Sequence, residues 1–154
     1  MFRKIELTDY ESCKKLVEQI HEIHCQNRPD IYKEGNPLPI EYFTRCIEDK
    51  NNFNYLYEED NNIVGIIMAE KQNSKPLPIA KERTTYFIND IVVDKNYRRK
   101  KIAKKLYDLL LEQAKLEKVD SIELNVWAFN EDAIKFYESL GMKVKNMKFE
   151  DIVR

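Results

Sequence analysis

Residues 84–93, TTYFINDIVV, are dense in β-branched and aromatic side chains and run directly into a basic loop and a long amphipathic helix. No other stretch limits the fold as strongly. A strand that is apolar on both faces near its end belongs in the middle of a covered sheet. The helix expected over 102–118 puts Ile102, Leu106, Leu109, Leu110 and Ala114 on one buried stripe. A further strand over 121–127 follows, with Ile122, Leu124 and Val126 alternating on one face. Strand, crossover helix and strand should form a right-handed unit whose two strands run parallel or nearly so.

The rest of the chain arranges itself around that unit. Residues 2–6 read as a short strand, and Thr8 or Asp9 opens a helix with Leu16, Val17, Ile20 and Ile23 at helical spacing. Residues 27–39, with three prolines and a glycine, form a loop, and 40–49 a short second helix. Strands over 53–57 and 63–69 flank a polar turn as a hairpin, and 71–81 is a loop. Asn130 can cap a helix running through Leu140, with Gly141 supplying the left-handed stop, and 142–153 is extended and adds one or two last strands. The order is that of a mixed α/β sheet, and 154 residues fit a single domain, 1–154.

Charge narrows the function. Lys and Arg number 26 against 27 Asp and Glu, so the surface as a whole is not built for nucleic acid or anionic lipid. Yet seven bases and no acid fall in residues 95–105: Lys95, Arg98, Arg99, Lys100, Lys101, Lys104 and Lys105. A helix start offers unpaired backbone N–H groups and the positive end of the macrodipole, so bases gathered there favour a phosphate anion. Taken alone, such a run is more often a solvated helix start; its position after a buried strand favours the anion. No segment approaches the ~20 apolar residues of a membrane span, and no signal peptide is evident, so a cytoplasmic protein is expected. Cys13, Cys25 and Cys46 show no paired spacing. His21, His24 and Cys25 lie near one helical face, but a fourth ligand is not apparent and no metal is expected.

The second informative stretch is 127–142, WAFNEDAIKFYESLGM, in which Ala133, Phe136, Tyr137 and Leu140 share a helix side. Such aromatics are usually core. A buried tyrosine hydroxyl nevertheless needs a partner, and beside a reacting thiol it can donate a proton. The two stretches together resemble the GNAT superfamily of N-acetyltransferases: Arg98 and Ala103 match the ends of its Arg/Gln-x-x-Gly-x-Gly/Ala motif. Asn130, Ala133, Phe136, Tyr137 and Gly141 match its Asn-x-x-Ala-x-x-Phe-Tyr-x-x-x-Gly-Phe motif, with Met142 at the final Phe. Lys101 stands where the first motif has its first glycine. Two outcomes are open: Lys101 points outward and adds a charge contact, or it displaces the loop.

The resemblance implies a central sheet whose parallel strands splay to admit the pantetheine arm of acetyl-CoA. Ile91, Val92 and Val93 would bond the acetyl and pantetheine groups. Arg98, Arg99, Lys100, Lys101, Ile102, Ala103 and Lys104 would hold the phosphates. Asn130 would contact the pantetheine side, and Tyr137 would protonate the departing thiolate. An alkyl ammonium with a pKa of about 10.4 must lose a proton before it can attack. Asp90 in the central strand is the first candidate base and Glu123 the second, the alternative for each being a structural carboxylate or an ammonium anchor. His24, Asp30 and Tyr32 would line the acceptor entrance. A small-molecule amine is the expected acceptor. A protein N-terminus or lysine, and an acyl-CoA-binding protein without catalysis, are the alternatives. Neither nucleic acid nor membrane is an expected partner, and a homodimer is compatible with the sequence.

Overall fold

The computed structural model describes residues 1–98 and 100–154. Strands β1 (Phe2–Lys4), β2 (Phe53–Glu59), β3 (Asn62–Ser74), β4 (Arg83–Val93) and β5 (Ser121–Glu123) lie side by side in that order in one sheet. The first four pair antiparallel and the last pair, β4 with β5, is parallel. Helices α1 (Tyr10–Asn27) and α2 (Ile40–Glu48) precede β2, α3 (Ile102–Leu116) connects β4 to β5, and α4 (Glu131–Ser139) follows β5.

Each face of the sheet has its own core. On one, Ile67, Ala69, Tyr86 and Ile88 meet Ile102, Leu106 and Leu110 of α3. On the other, Leu56, Ile66, Met68 and Val92 meet Cys13, Leu16 and Val17 of α1 and Phe43 of α2. Gly65 of β3 sits directly under the start of α3, where an added Cβ would lie 2.9 Å from Cγ2 of Ile102. That close approach fixes how near the helix start comes to the sheet. At the β1 edge of the sheet, Arg3 forks onto Asp9 at 2.8 and 2.9 Å and reaches Glu58 of β2 at 2.7 Å. The Arg3 bonds hold the Asp9 carboxyl below its ordinary value and pin the start of α1 to the sheet edge.

Strand β3 is longer than its apolar run indicates and takes in 71–74 of the segment expected as a loop, because Gln72, Asn73 and Ser74 pair with Thr85, Thr84 and Arg83 of β4. The last strand is shorter: only 121–123 of the expected 121–127 pair. Residues 142–153, expected to add strands, form none among the described residues. Apolar alternation makes a segment competent to pair, but pairing also needs an adjacent edge. Among the described residues no strand lies against the far side of β5.

Candidate active site

The shortness of β5 creates the site. Thr85, Tyr86 and Phe87 of β4 face Ser121, Ile122 and Glu123, and there the parallel pairing stops. From Ile88 to Val93, β4 keeps β3 on one side and, among the described residues, has no strand on the other. Ile91, Val92 and Val93 therefore flank a gap that opens at the carboxyl ends of two parallel strands, the usual place for a ligand in such sheets. A hollow lined by Asn73, Thr84 and Glu117 lies at the opposite end of β4 and contains none of the candidate groups.

A β-bulge aims the acid. Met68 pairs with Asp90 and Ala69 with Ile88, leaving Asn89 as the extra residue of β4. One extra residue exchanges the two faces of everything beyond it. Thus Tyr86 and Ile88 face α3 before the bulge, while Val92 faces α1 and α2 after it. Asp90 shares the face of Val92, and its charge is felt by Cys13 of α1, Tyr42 and Cys46 of α2 and Tyr137 of α4. Burial pushes the Asp90 carboxyl up to about 6. Burial, reinforced by the nearby Asp90 charge, pushes the Tyr137 hydroxyl up to about 12. The two candidates are thus brought together, an acid that titrates near neutrality and a phenol that keeps its proton.

Glu123 sits in a different setting. It accepts from Lys145 Nζ at 2.9 Å, Ser121 Oγ at 2.7 Å and Thr85 Oγ1 at 3.4 Å. Those bonds, Lys145 foremost, hold it below its ordinary value. A carboxylate so stabilised in its charged form is a poor proton acceptor, and it lies in the paired stretch before the gap opens. Of the two acids, Asp90 has the environment that suits a base.

The start of α3 is left open. Its N-cap is Lys101, which makes no side-chain cap bond, and no acid lies in its first turn. The amides of Ile102, Ala103 and Lys104 thus meet no cap. Lys101 is exposed and holds φ 59°, ψ 25°, the left-handed conformation that glycine adopts most readily. Lys100 is drawn to Glu59 at 3.0 Å and lies over the Tyr97 ring, and Lys104 pairs with Asp108 at 2.7 Å. Arg98 is exposed beside them, and Arg99 lies outside the described residues. These residues fit a diphosphate: uncapped amides at a helix tip, ringed by cations.

Asn130, expected on the pantetheine side, spends its side chain on α4, where its Oδ1 accepts from the Ala133 amide at 3.2 Å. Of the acceptor candidates, His24 stacks on Tyr32 with ring centroids 5.0 Å apart. Asp30 is forked by Arg28 at 2.9 and 2.8 Å. Two residues not singled out for the acceptor side complete this wall. Trp127 Nε1 donates to the Tyr32 hydroxyl at 3.0 Å, and Phe129 stacks on Trp127 at 5.8 Å. Arg28 lies over the Trp127 ring at 5.1 Å and pairs with Glu150 at 2.7 Å. Burial, with His21 nearby, lowers the His24 pKa. His21 bonds the Lys33 carbonyl at 2.8 Å and approaches Cys25 Sγ at 3.3 Å. Tyr42 and Cys46 of α2 also feel the Asp90 charge. Among the described residues no helix is long and apolar enough to cross a membrane.

Known proteins share this fold. The crystal structure of a single-site mutant of the Bacillus halodurans protein BH1408 superposes with a TM-score of 0.97 at 27% identity, over 100% of this chain and 99% of that one. The aminoglycoside N-acetyltransferase AAC(6')-Iy in complex with CoA shares the fold with a TM-score of 0.72 at 14% identity, over 100% and 99% of the two chains. In sequence, N-alpha-acetyltransferase 30 of Dictyostelium discoideum is 39% identical over 79 residues, which is 51% of this chain and 40% of that protein. Residues 17–142, from α1 through the turn after α4 and so including the split strands and both helix starts, match the acetyltransferase (GNAT) family, and the chain belongs to that family.

Proposed function

We propose that this protein transfers the acetyl group of acetyl-CoA to a primary amine of a small molecule. The observation that carries this reading is the parting of β4 from β5 beside an uncapped helix start, with the Tyr137 hydroxyl within reach of the Asp90 charge. The backbone of Ile91 to Val93 would bind the pantetheine arm, and the α3 amides with Arg98, Lys101 and Lys104 the phosphates. Acetyl-CoA supplies an activated acyl group whose thiol is the leaving group.

The protein's part is proton management and aim. An ammonium entering past His24, Tyr32 and Trp127 is attracted by Asp90, which is largely ionised above pH 6. Asp90 first takes a proton from the ammonium, directly or through a water, and the free amine then attacks the thioester carbonyl. Tyr137, held protonated across the physiological range, donates a hydrogen bond to the charge that develops on the departing sulfur. The aromatic wall, drawn together by the links from Arg28 to Asp30 and Glu150, supports an acceptor of small size.

Calorimetric titration with acetyl-CoA, followed by an amine panel read by free-thiol release, tests the reading. Saturable binding and thiol release with one class of small amine are expected. Tyr137→Phe should slow turnover at least ~10-fold with little change in acetyl-CoA affinity. Absence of saturable binding would remove the proposal. A second reading, acetylation of a polypeptide N-terminus, is favoured by the partial relationship to an N-alpha-acetyltransferase. It predicts turnover of short peptides and none of small amines.

A further inference from the structure

Asp90 is not the only acid on its face of the sheet. Along β3, Met68 faces α1 and α2, Ala69 faces α3, and Glu70 returns to the side of Met68. Asp90 stands opposite Met68 on β4, so Glu70 and Asp90 are diagonal neighbours. Their Cα atoms lie about 7 to 8 Å apart. Tyr42 and Cys46 of α2 feel both charges, which places that helix side across the pair. Among the described residues neither acid is paired with a base. Burial alone accounts for the raised pKa of Asp90, with no hydrogen bond or opposite charge contributing. The nearby bases are engaged elsewhere: Arg28 with Asp30 and Glu150, and Lys145 with Glu123. Arg45 of α2, whose charge reaches Cys46, is exposed. Burial lowers the His24 pKa and so keeps that ring uncharged near neutrality. The charge left unanswered on this face is that of two carboxylates.

Resting on the acetyl-transfer reading above, we propose that the acceptor is an aliphatic diamine, one end delivered to Asp90 and the other held as an ammonium by Glu70. An extended methylene chain gains ~1.25 Å per bond, so about four or five carbons set two nitrogens about 6 to 7.5 Å apart. That span matches the two carboxylates. A monoamine leaves Glu70 without a partner, and an α-amino acid brings a third carboxylate against the two already there. One terminal nitrogen, once deprotonated by Asp90, forms the amide bond as the carbon–sulfur bond of acetyl-CoA breaks. The departing sulfur leaves as the thiol of coenzyme A, taking up a proton. The other nitrogen keeps its proton and its charge at Glu70, so the product carries one positive charge less than the acceptor and is held by one acid instead of two.

The test compares thiol release by the full chain with putrescine and cadaverine against butylamine and pentylamine, with ethylenediamine as the diamine too short to span the pair. The kcat/KM of each longer diamine should exceed that of its monoamine at least ~10-fold, above the factor of about two that two equivalent ends supply. Ethylenediamine should show no such advantage, and added salt should shrink the advantage of the longer diamines. Glu70→Gln should bring the diamine-to-monoamine ratio within about threefold of one, and Glu70→Lys should make the monoamine the better acceptor. Glu70 is exposed, so both variants should keep the wild-type circular dichroism spectrum. A wild-type ratio near one, a ratio that Glu70→Gln leaves in place, or turnover confined to peptides overturns the proposal. Should no amine release thiol, calorimetric titration with cadaverine separates the two readings. Saturable binding that Glu70→Gln weakens at least ~10-fold upholds the diamine site while acetyl transfer fails, and absence of such binding overturns it.

Discussion

The starts of α3 and α4 resemble each other in position and differ in finish. Both helices begin after an extended stretch at the same end of the sheet. At α4, the Asn130 side chain accepts from the Ala133 amide, and Glu131 and Asp132 place negative charge in the first turn. At α3, the N-cap is a lysine without a cap bond, the first turn holds no acid, and the preceding loop is basic. A helix start costs about 1 kcal/mol when left without a cap. One end is completed by its own chain and serves to position Tyr137. The other is left incomplete at a cost in stability, and that incompleteness is what an anion would satisfy. Under the proposed function, binding and positioning would thus be divided between two copies of the same structural element.

The division is tested most severely by disabling what faces α4 while sparing α3. Asp90→Asn should lower kcat/KM by about 10² to 10⁴, the usual worth of a general base. Calorimetric affinity for acetyl-CoA should stay within about threefold. In the wild type the acidic limb of the kcat/KM profile should turn near pH 6, because the Asp90 carboxyl must be ionised, and the variant should lose that limb. Stability moves the other way. The folded state binds this proton more tightly than the unfolded chain, so stability falls as pH rises from the ordinary carboxyl value of 3.8 through about 6. Above pH 6 the asparagine variant should therefore be more stable, by about 2 kcal/mol, in chemical denaturation. Unchanged stability would make Asp90 an ordinary surface acid.

The converse change gives α3 the finish of α4. Lys104→Glu puts an acid in the first turn of α3 and removes a base, a change of two charge units against a phosphate. Acetyl-CoA affinity should fall about 30- to 100-fold, while the melting temperature moves by no more than ~2 °C, since a favourable dipole contact replaces the Asp108 pair. A smaller effect is expected of Asn130→Ala. Loss of that cap should cost about 1 kcal/mol of stability. Turnover should drop with it, and acetyl-CoA affinity should not. A large loss of affinity would mean that Asn130 also touches the pantetheine arm.

The sequence carried the helix starts well because their signals are local. Asn130 with two acids after it, and a basic run after a β-rich strand, are read within a single turn of chain. The bulge at Asn89 is also written there, as a switch of apolar positions from Tyr86 and Ile88 to Ile91 and Val93, which reads equally as a strand apolar on both faces near its end. What could not be read was anything that depends on a neighbour. The length of β5 is set by where β4 leaves it, not by Leu124 or Val126, which are as apolar as a strand requires. Glu123 and Asp90 look alike as letters, and only Lys145, Ser121 and Thr85 on one side and burial on the other separate them. The aromatic wall joins Tyr32 to Trp127 across 95 positions of chain.

Lys101 yields the smallest and most discriminating effect. It occupies the left-handed region at φ 59°, where a side chain costs about 1 kcal/mol relative to glycine. Part of that cost is recovered in the unfolded state, which glycine makes more disordered. Lys101→Gly should therefore stabilise the fold by about 0.5 kcal/mol, a rise of only a few degrees in melting temperature. Its effect on acetyl-CoA binding separates the two roles open to the residue. If the lysine occupies the turn only as backbone, affinity stays within about threefold, because the α3 amides are unchanged. If its ammonium meets a phosphate, affinity falls by about tenfold and the loss shrinks as salt is added, since an exposed charge contact is screened. Lys101→Asn keeps a residue that tolerates the left-handed turn and removes only the charge, so it should reproduce the binding result of the glycine variant without the full gain in stability.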